Sequence, residues 1–407
     1  MSKKIIYITS SFPFGKLEVW AANELNSLIE QGNEIIVIPR TGKGKVINED
    51  ALKFSPNVID LPFINWAMLV SMLIYVFSKP ILFFKLLSEI IKQSNNVIDF
   101  MKGIIVLPKS LFLVKMLANQ KADHIHSYST SSAAIMAFIL SSYLKVPWSF
   151  TLHTSAQLNN RFKRSYLFHA DSASICRTIS ERTAIELSTF IGPDLSRKIR
   201  KVHLGVKTVV ELKERTKTKT PFIIATPAVF LEYKGHAYAI DAARELINMG
   251  VNGFKWFFYG SGPLLRDMQH KAQKLNLHNH CFFPGNIDHR ELLDKYEDRE
   301  IDLVVLTSIT SGFQPEGIPV SLMEAMSYAV PVVATDSGGT LELIGDGAGI
   351  KVPQKDSINL AKEIKRFIED NEYHDIQGNK GRKKIADDFD TKKTSIQLYN
   401  HIFKHGQ

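Results

Sequence analysis

DLVVLTSITSGFQPEGIPVSLMEAMSYAVPVVATD, residues 302–336, holds one repeat of the pattern that organises the chain. DLVVLTS is an apolar, β-branched run of strand length, and SITSGFQP has the composition of an irregular loop. SLMEAMSYA carries a helical pattern that starts near Pro319, since proline is favoured in a first helical turn. PVVATD is a second strand-like run, so the stretch predicts a βαβ unit in a parallel sheet.

Outward from this unit the same alternation recurs. In the second half FIIATPAV (222–229), KWFFYG (255–260) and HCFFPG (280–285) read as strands, each followed by a helical pattern or a turn. In the first half KIIYIT (4–9), a helix over 17–31 closed by Gly32, and EIIVIPR (34–40) form another such unit. DHIHSY (123–128), PWSFTLH (147–153) and KIRKVHL (198–204) are further strands. The charge-rich VKTVVELKERTKTKT (206–220) reads as the linker between two doubly wound domains. In such sheets ligands bind beyond the carboxyl ends of the strands, so the loops after strands are where chemistry is sought.

The loop and helix of the opening stretch carry Glu316 and Glu324, with Gly317 and Pro319 between them. A helix N-terminus presents free N–H groups, so the 317–321 backbone is a candidate cradle for a diphosphate. Carboxylates cannot take phosphate oxygens, because both are acceptors; they suit the vicinal hydroxyls of a sugar. A nucleotide sugar, with a diphosphate between two diol-bearing rings, uses both glutamates at once. The alternative is that they only complement a helix dipole on a solvated surface. That leaves the apolar context of Glu324 unexplained.

The net charge of +9 is unevenly spread: residues 1–206 carry 24 Lys and Arg against 14 Asp and Glu, whereas the remainder is nearly balanced. A basic first half suits an anionic membrane surface, a phosphorylated substrate or simple solvation. No compact stretch interleaves basic with aromatic residues, which argues against nucleic acid. Cys176 and Cys281 have no CxxC spacing and imply neither a disulfide framework nor a thiolate metal site. With only a short apolar run behind the first lysines, the chain is expected to stay in the cytoplasm.

One segment breaks the alternation. LPFINWAMLVSMLIYVFS (61–78) is uncharged, and PILFFKLLSEIIKQ (80–93) continues it. It reads as a transmembrane span, as a helical insertion packed on its own domain, or as an interfacial helix pair rimmed by Lys79, Lys85, Lys92, Lys102 and Lys109.

Glu316-Gly317-x-Pro319-x4-Glu324-Ala325-Met326, followed by Pro331 to Asp336 and Gly338-Gly339, resembles the E-x7-E signature of family-4 retaining glycosyltransferases. The resemblance extends to SFPFGKLEVWAANEL, TLHT (151–154), VHLGV (202–206), YKGHAYAIDA (233–242), YGSGP (259–263) and FPGNI (283–287). It implies an α/β GT-B fold, two Rossmann-like domains facing a cleft. Residues 1–205 would take the acceptor, 206–385 the nucleotide sugar, and the C-terminal helix within 386–407 would cross back to the first domain. It implies that Glu324 holds the donor ribose, Glu316 a hydroxyl of the transferred sugar, and Lys234 the diphosphate. The backbone at Gly15, Gly317, Ile318, Pro319 and Val320 would lie by the phosphates or sugar, Pro284, Gly285 and Asn286 by the base, and His153 by the reacting carbon. Lys234 read alone is as often a solvated lysine, and His153 a capping or core histidine.

The resemblance further implies transfer of a hexose to a glycan acceptor, polyprenyl-diphosphate-linked in surface polysaccharide assembly, at the inner membrane face. No metal is expected: the one D-x-D spacing, Asp388-Phe389-Asp390, reads as a helix boundary. Two departures matter. Ala228 and Val229 stand where the family has glycine and arginine, so another cation, Arg177 or a lysine of the first domain, must replace that arginine, or the chain is an inactive, donor-binding partner. Ala329 stands where the family has glycine, and is tolerable if its φ is negative. A nicotinamide-dependent oxidoreductase is disfavoured, because SFPFGK replaces a G-x-G-x-x-G after the first strand.

Overall fold

The computed structural model describes residues 2–14, 18, 20–42, 57–130, 132–154, 158, 162–215, 220–310 and 316–404. The chain divides into two units, one of residues 1–204 with 392–407 and one of residues 205–391.

The first unit is built on β1 (Lys4–Thr9), β2 (Glu34–Pro39), β3 (His124–Ser127), β4 (Trp148–Leu152), β5 (Ile175–Thr178) and β6 (Ile199–Lys201). They lie in the order β2-β1-β3-β4-β5-β6 and every pairing is parallel. Helices cover such a sheet on both faces, which is why β1 is buried without alternation from Ile5 to Thr9. The second unit repeats the plan with β7 (Phe222–Pro227), β8 (Phe254–Tyr259), β9 (Cys281–Gly285), β10 (Leu303–Leu306), β11 (Val332–Thr335) and β12 (Ile350–Val352). Its order is β12-β11-β10-β7-β8-β9, again all parallel, the arrangement of a dinucleotide-type doubly wound sheet. The order reverses between β1 and β3 in one sheet and between β7 and β10 in the other. At such a reversal the connections leave toward opposite faces, and a crevice opens at the carboxyl ends.

Sequence reading overlooked β5 and β12. ICRT contains an arginine and IKV is only three residues long, so neither stands out as an apolar run. Their partners in the sheet decide them.

Arg177 of β5 is not available as a substitute cation. It is fully buried, and its guanidinium meets the Glu24 carboxylate at 2.5 Å. Its Nε and second terminal nitrogen donate to the carbonyls of Val202 and His203 at 3.0 and 2.9 Å. Tyr7 donates to the other Glu24 oxygen at 3.3 Å. Beside this network His126 bridges Ser149 and Thr151 at 2.7 and 2.9 Å, and burial pushes its pKa well below the usual histidine value. Close by, the helix Thr391–Phe403 docks on this unit: Ser395 Oγ lies 2.7 Å from Ser27 Oγ, and Leu398 packs with Ile175 and Val202.

The expected linker is partly structured as well. Val206 exchanges backbone hydrogen bonds with Phe389 and Thr391, and Arg382 reaches the carbonyls of Val209 and Val210. These residues are therefore docked on the second unit, while 216–219 lie outside the described residues.

The apolar segment forms helices Trp66–Ser78 and Pro80–Gln93, bent by 113° where Pro80 starts the second. Asn65 caps the first by accepting from the Met68 N–H. Among the described residues no single helix is long and apolar enough to cross a membrane. The pair lies next to helix Val97–Leu117, where a Cβ on Gly103 would stand 2.6 Å from Ile90 Cγ2. Lys109 is not on a rim: it is 1 % exposed, and its ammonium donates to the carbonyls of Pro39, Arg40 and Leu61 at 2.8, 3.1 and 3.1 Å. Burial pushes its pKa down to about 8, yet three carbonyls satisfy its three protons.

Ala329 corrects the remaining expectation, since its φ is +54°. Its N–H bonds the Met326 carbonyl and that of Val330 the Ala325 carbonyl, the paired bonds of a left-handed helix terminus. An alanine there carries strain that glycine lacks. Ala329→Gly is expected to raise unfolding free energy by about 1 kcal/mol in urea melts, because a left-handed non-glycine residue costs that order. Arg177→Met is expected to lower it by about 3–5 kcal/mol, because it strands the buried Glu24 carboxylate.

Candidate functional site

The switch point of the second sheet lies where the segments following β7 and β10 leave it. After β7 the chain forms a single 3₁₀ turn, Glu232–Lys234, and enters helix His236–Asn248 through Gly235. Gly235 has a φ of +63°, and a Cβ on it would stand 2.0 Å from the Thr307 carbonyl oxygen. Only glycine permits that approach, and the Thr307 hydroxyl closes it by donating to the Gly235 carbonyl at 2.9 Å. Lys234 is thereby held over the end of β10. Its ammonium meets Glu316 Oε2 at 2.6 Å, and Ser308 donates to the same oxygen at 2.8 Å. The Lys234 and Glu316 side chains are only 13 % and 10 % exposed, so each cancels a charge that would otherwise be costly to shield from water.

Glu316 is fixed from behind by the turn after β11. The Gly339 N–H donates to its carbonyl at 3.0 Å. A Cβ on Gly338, whose φ is +60°, would stand 1.9 Å from that oxygen. This contact requires glycine at 338, and a Cβ on Gly339 would stand 3.1 Å from Ile318 Cγ1. Gln354 ties the neighbouring turns together, accepting from Thr310 N–H at 2.7 Å and donating to the Asp336 carbonyl at 3.0 Å.

Helix Val320–Ser327 follows directly. Pro319 is its N-cap and, like Gly235 before the other helix, makes no side-chain cap bond. Two helix starts with uncapped N–H groups thus adjoin the Lys234–Glu316 pair, an arrangement suited to an anion. One helical turn further on, Glu324 accepts from His289 Nε2 at 2.7 Å. His289 opens helix His289–Glu297, whose N-cap is Asp288, so Glu324 is joined to the turn after β9. Pro284 and Gly285 end β9 and Asn286 opens that turn, and Gly285 accepts from Gly260 N–H at 2.7 Å.

The structure therefore brings Lys234, Glu316, Gly317, Ile318, Pro319, Val320 and Glu324 together, with Pro284 to Asn286 linked through His289. Sequence reading missed Ser308 and His289. A serine ending the strand run and a histidine in the polar IDHR stretch were the available signals, both too common to single out. His236, beside Lys234, stacks on Phe230 at 4.2 Å, and burial lowers its pKa to about 4.

His153 belongs to the first unit, just beyond β4, and Gly15 lies outside the described residues. His153 Nε2 donates to the Tyr128 carbonyl at 2.7 Å, which makes Nδ1 the acceptor of a neutral ring. Burial lowers its pKa to about 4, so it is neutral at physiological pH. Nδ1 has no hydrogen-bond partner among the described residues. Neither the D-x-D pair nor any other group among the described residues forms a cluster of three or more metal-ligating side chains. Asp390 instead accepts from Thr208 at 2.7 Å.

Residues 210–384 match the family described as glycosyl transferases group 1. The Salmonella typhimurium protein named for colanic acid biosynthesis, glycosyltransferase WcaL, is 32% identical over 180 residues, 44% of each chain. The amylovoran biosynthesis glycosyltransferase AmsK of Erwinia amylovora is 32% identical over 173 residues, 42% of each. The chain thus spans under half the length of these relatives. The structure of Anabaena Alr3699/HepE in complex with UDP superposes with a TM-score of 0.72 at 16% identity, covering 98% of this chain and 100% of that one. At that identity the likeness defines the fold, which is GT-B, with two Rossmann-like parallel-sheet units.

The Gly338 contact provides a test of how tightly the glutamate segment is held. Gly250→Ala, at a φ of +79° with open space around it, should cost about 1 kcal/mol for backbone strain alone. Gly338→Ala should cost clearly more in the same denaturant series, because it adds an overlap with Glu316.

Proposed function

We propose that the chain is a retaining hexosyltransferase of surface polysaccharide assembly, a reading supported by the match of residues 210–384 to the group 1 glycosyl transferases. It takes a sugar from a nucleoside diphosphate donor and passes it to a glycan acceptor, one linked to a polyprenyl diphosphate, at the inner face of the cell membrane. The relatives named for colanic acid and amylovoran biosynthesis support the pathway class. The observation that carries the reading is the Lys234–Glu316 pair beside two uncapped helix starts at the switch point.

In this reading the donor diphosphate lies against the helix N–H groups and draws Lys234 from its ion pair. As the bond from sugar to phosphate breaks, negative charge grows on the leaving diphosphate. A fixed ammonium and fixed N–H groups then bind the transition state more strongly than the ground state. Glu316, released and still oriented by Ser308, accepts from a hydroxyl of the transferred sugar. Glu324 accepts from the ribose hydroxyls in place of His289, and Pro284 to Asn286 flank the base. The resemblance assigns His153 to the reacting sugar, where a neutral ring with an accepting Nδ1 suits a hydroxyl. No metal ion enters the proposal, since Lys234 and the helix starts supply the positive charge.

Val229 favours a second reading. It is 46% exposed and stands where the family resemblance expects an arginine for the diphosphate. A chain that binds donor but lacks turnover, acting as the partner of another transferase, is consistent with that loss.

A thermal-shift screen of nucleotide sugars and bare nucleotides, followed by transfer assays with the best donor, separates the two readings. Glu316→Ala and Glu324→Ala are each expected to reduce transfer at least tenfold, about 1.4 kcal/mol in the barrier. Unchanged turnover in both variants overturns the assignment, and donor binding without turnover in the unaltered protein favours the second reading.

A further inference from the structure

A cavity of about 330 Å³ opens in the first unit, beyond the ends of β2 and β3. Arg40 follows β2, Thr130 follows β3, and Gln93, Asp99, Lys102 and Tyr166 join several serines in its polar lining. Two polar groups there are unsatisfied. Gln93 is 2% exposed, and its amide oxygen meets His169 at 3.1 Å while its Nε2 has no partner among the described residues. Arg40 reaches Ser132 Oγ at 3.3 Å through one terminal nitrogen, but its buried Nε is likewise without a partner. Buried donors are nearly always bonded, so two left unbonded on residues that line one cavity mark a place where a ligand's acceptors belong.

The charges define the ligand further. Asp99 is engaged by Lys102 at 3.5 Å and by Asn95 at 3.3 Å, which leaves Arg40 as the cation of the lining without an acidic partner among the described residues. Arg40 is also well positioned: the Lys109 ammonium holds its carbonyl together with those of Pro39 and Leu61. A guanidinium, an amide N–H and neighbouring hydroxyls match a phosphate-type anion, whose several oxygens accept from several donors at once.

The walls of the cavity continue into an exposed apolar surface. Gln93 ends the helix that carries Ile91, and Asp99 and Lys102 lie on the helix that carries Val97, Ile98 and Met101, all four of these apolar side chains being more than half exposed. Phe77 and Ile81, at the 113° bend, are 82% and 87% exposed. Exposed Lys79, Lys85, Lys92 and Lys102 rim this surface. An apolar face with a cationic rim is the composition of an interfacial helix pair.

We infer that the cavity seats the phosphate-bearing head of an amphiphile whose hydrocarbon chain lies along the bent helix pair. Calling that amphiphile the acceptor rests on the function proposed above; its binding does not. The same chemistry could be met by a free phosphate or by a bilayer surface alone, and the test separates them. Binding of farnesyl diphosphate below its micellar range is measured by tryptophan fluorescence, beside inorganic diphosphate and vesicles of anionic phospholipid. UDP-sugar binding is recorded on the same samples.

The unaltered protein is expected to bind farnesyl diphosphate at least about tenfold more tightly than inorganic diphosphate. Arg40→Met is expected to weaken that binding by at least about tenfold, 1.4 kcal/mol, with UDP-sugar binding unchanged. Gln93→Met, which retains side-chain volume, is expected to weaken it in the same direction and decides the matter if Arg40→Met does not fold. Absence of farnesyl diphosphate binding, equal binding by both variants, equal affinity for inorganic diphosphate, or full competition by the vesicles alone would each overturn the inference. Loss of UDP-sugar binding with farnesyl diphosphate binding intact sinks the proposed transfer reaction and leaves the cavity assignment standing.

Discussion

The second unit depends on one ion pair held where a parallel sheet reverses its strand order. β7 and β10 are neighbours in space but far apart in sequence, so the segments following them can supply groups that no local stretch brings together. Lys234 comes from one and Glu316 from the other, 82 residues on. Pairing neutralises both in a largely shielded crevice, and uncapped helix starts beside them keep the local field positive. In the proposed reading the same two groups meet a diphosphate and a sugar hydroxyl.

The same constraint explains where glycine is required. Gly235 and Gly338 each face a carbonyl oxygen at a distance that no side chain survives, and each has positive φ. One brings the Lys234 turn onto β10, and the other brings the turn after β11 onto Glu316. Ala329 shows the complementary case: a helix ending in the same left-handed conformation carries a methyl group there and bears the strain.

The first unit uses buried polarity differently. Glu24, Arg177 and Tyr7 form a hydrogen-bonded network in its sheet, with His126 bonded to Ser149 and Thr151 beside it and the helix Thr391–Phe403 packed close by. Arg177 is spent on that network, which is why it cannot replace the arginine that the resemblance expects at position 229. Lys109 is similarly committed, stapling three carbonyls. A lysine in an apolar run looks like a membrane-facing charge until its partners are known. The unsatisfied donors of Arg40 and Gln93 differ from these committed groups in that both residues line one cavity.

Much was legible in the chain itself because it rests on local periodicity. Apolar β-branched runs alternating with helical patterns required parallel sheets, and the Glu316–Glu324 spacing across a proline put one carboxylate in a loop and the other on a helix. β5 and β12 were not legible, since a short strand with a charged residue owes its conformation to neighbouring strands. Ser308 and His289 were hidden for a related reason: their significance is a hydrogen bond to a residue distant in sequence or on another element. Tertiary structure alone decided which cations are free. A lysine or arginine carries the same charge wherever it stands, and only the groups folded around it determine whether that charge is spent on the protein or left for a ligand.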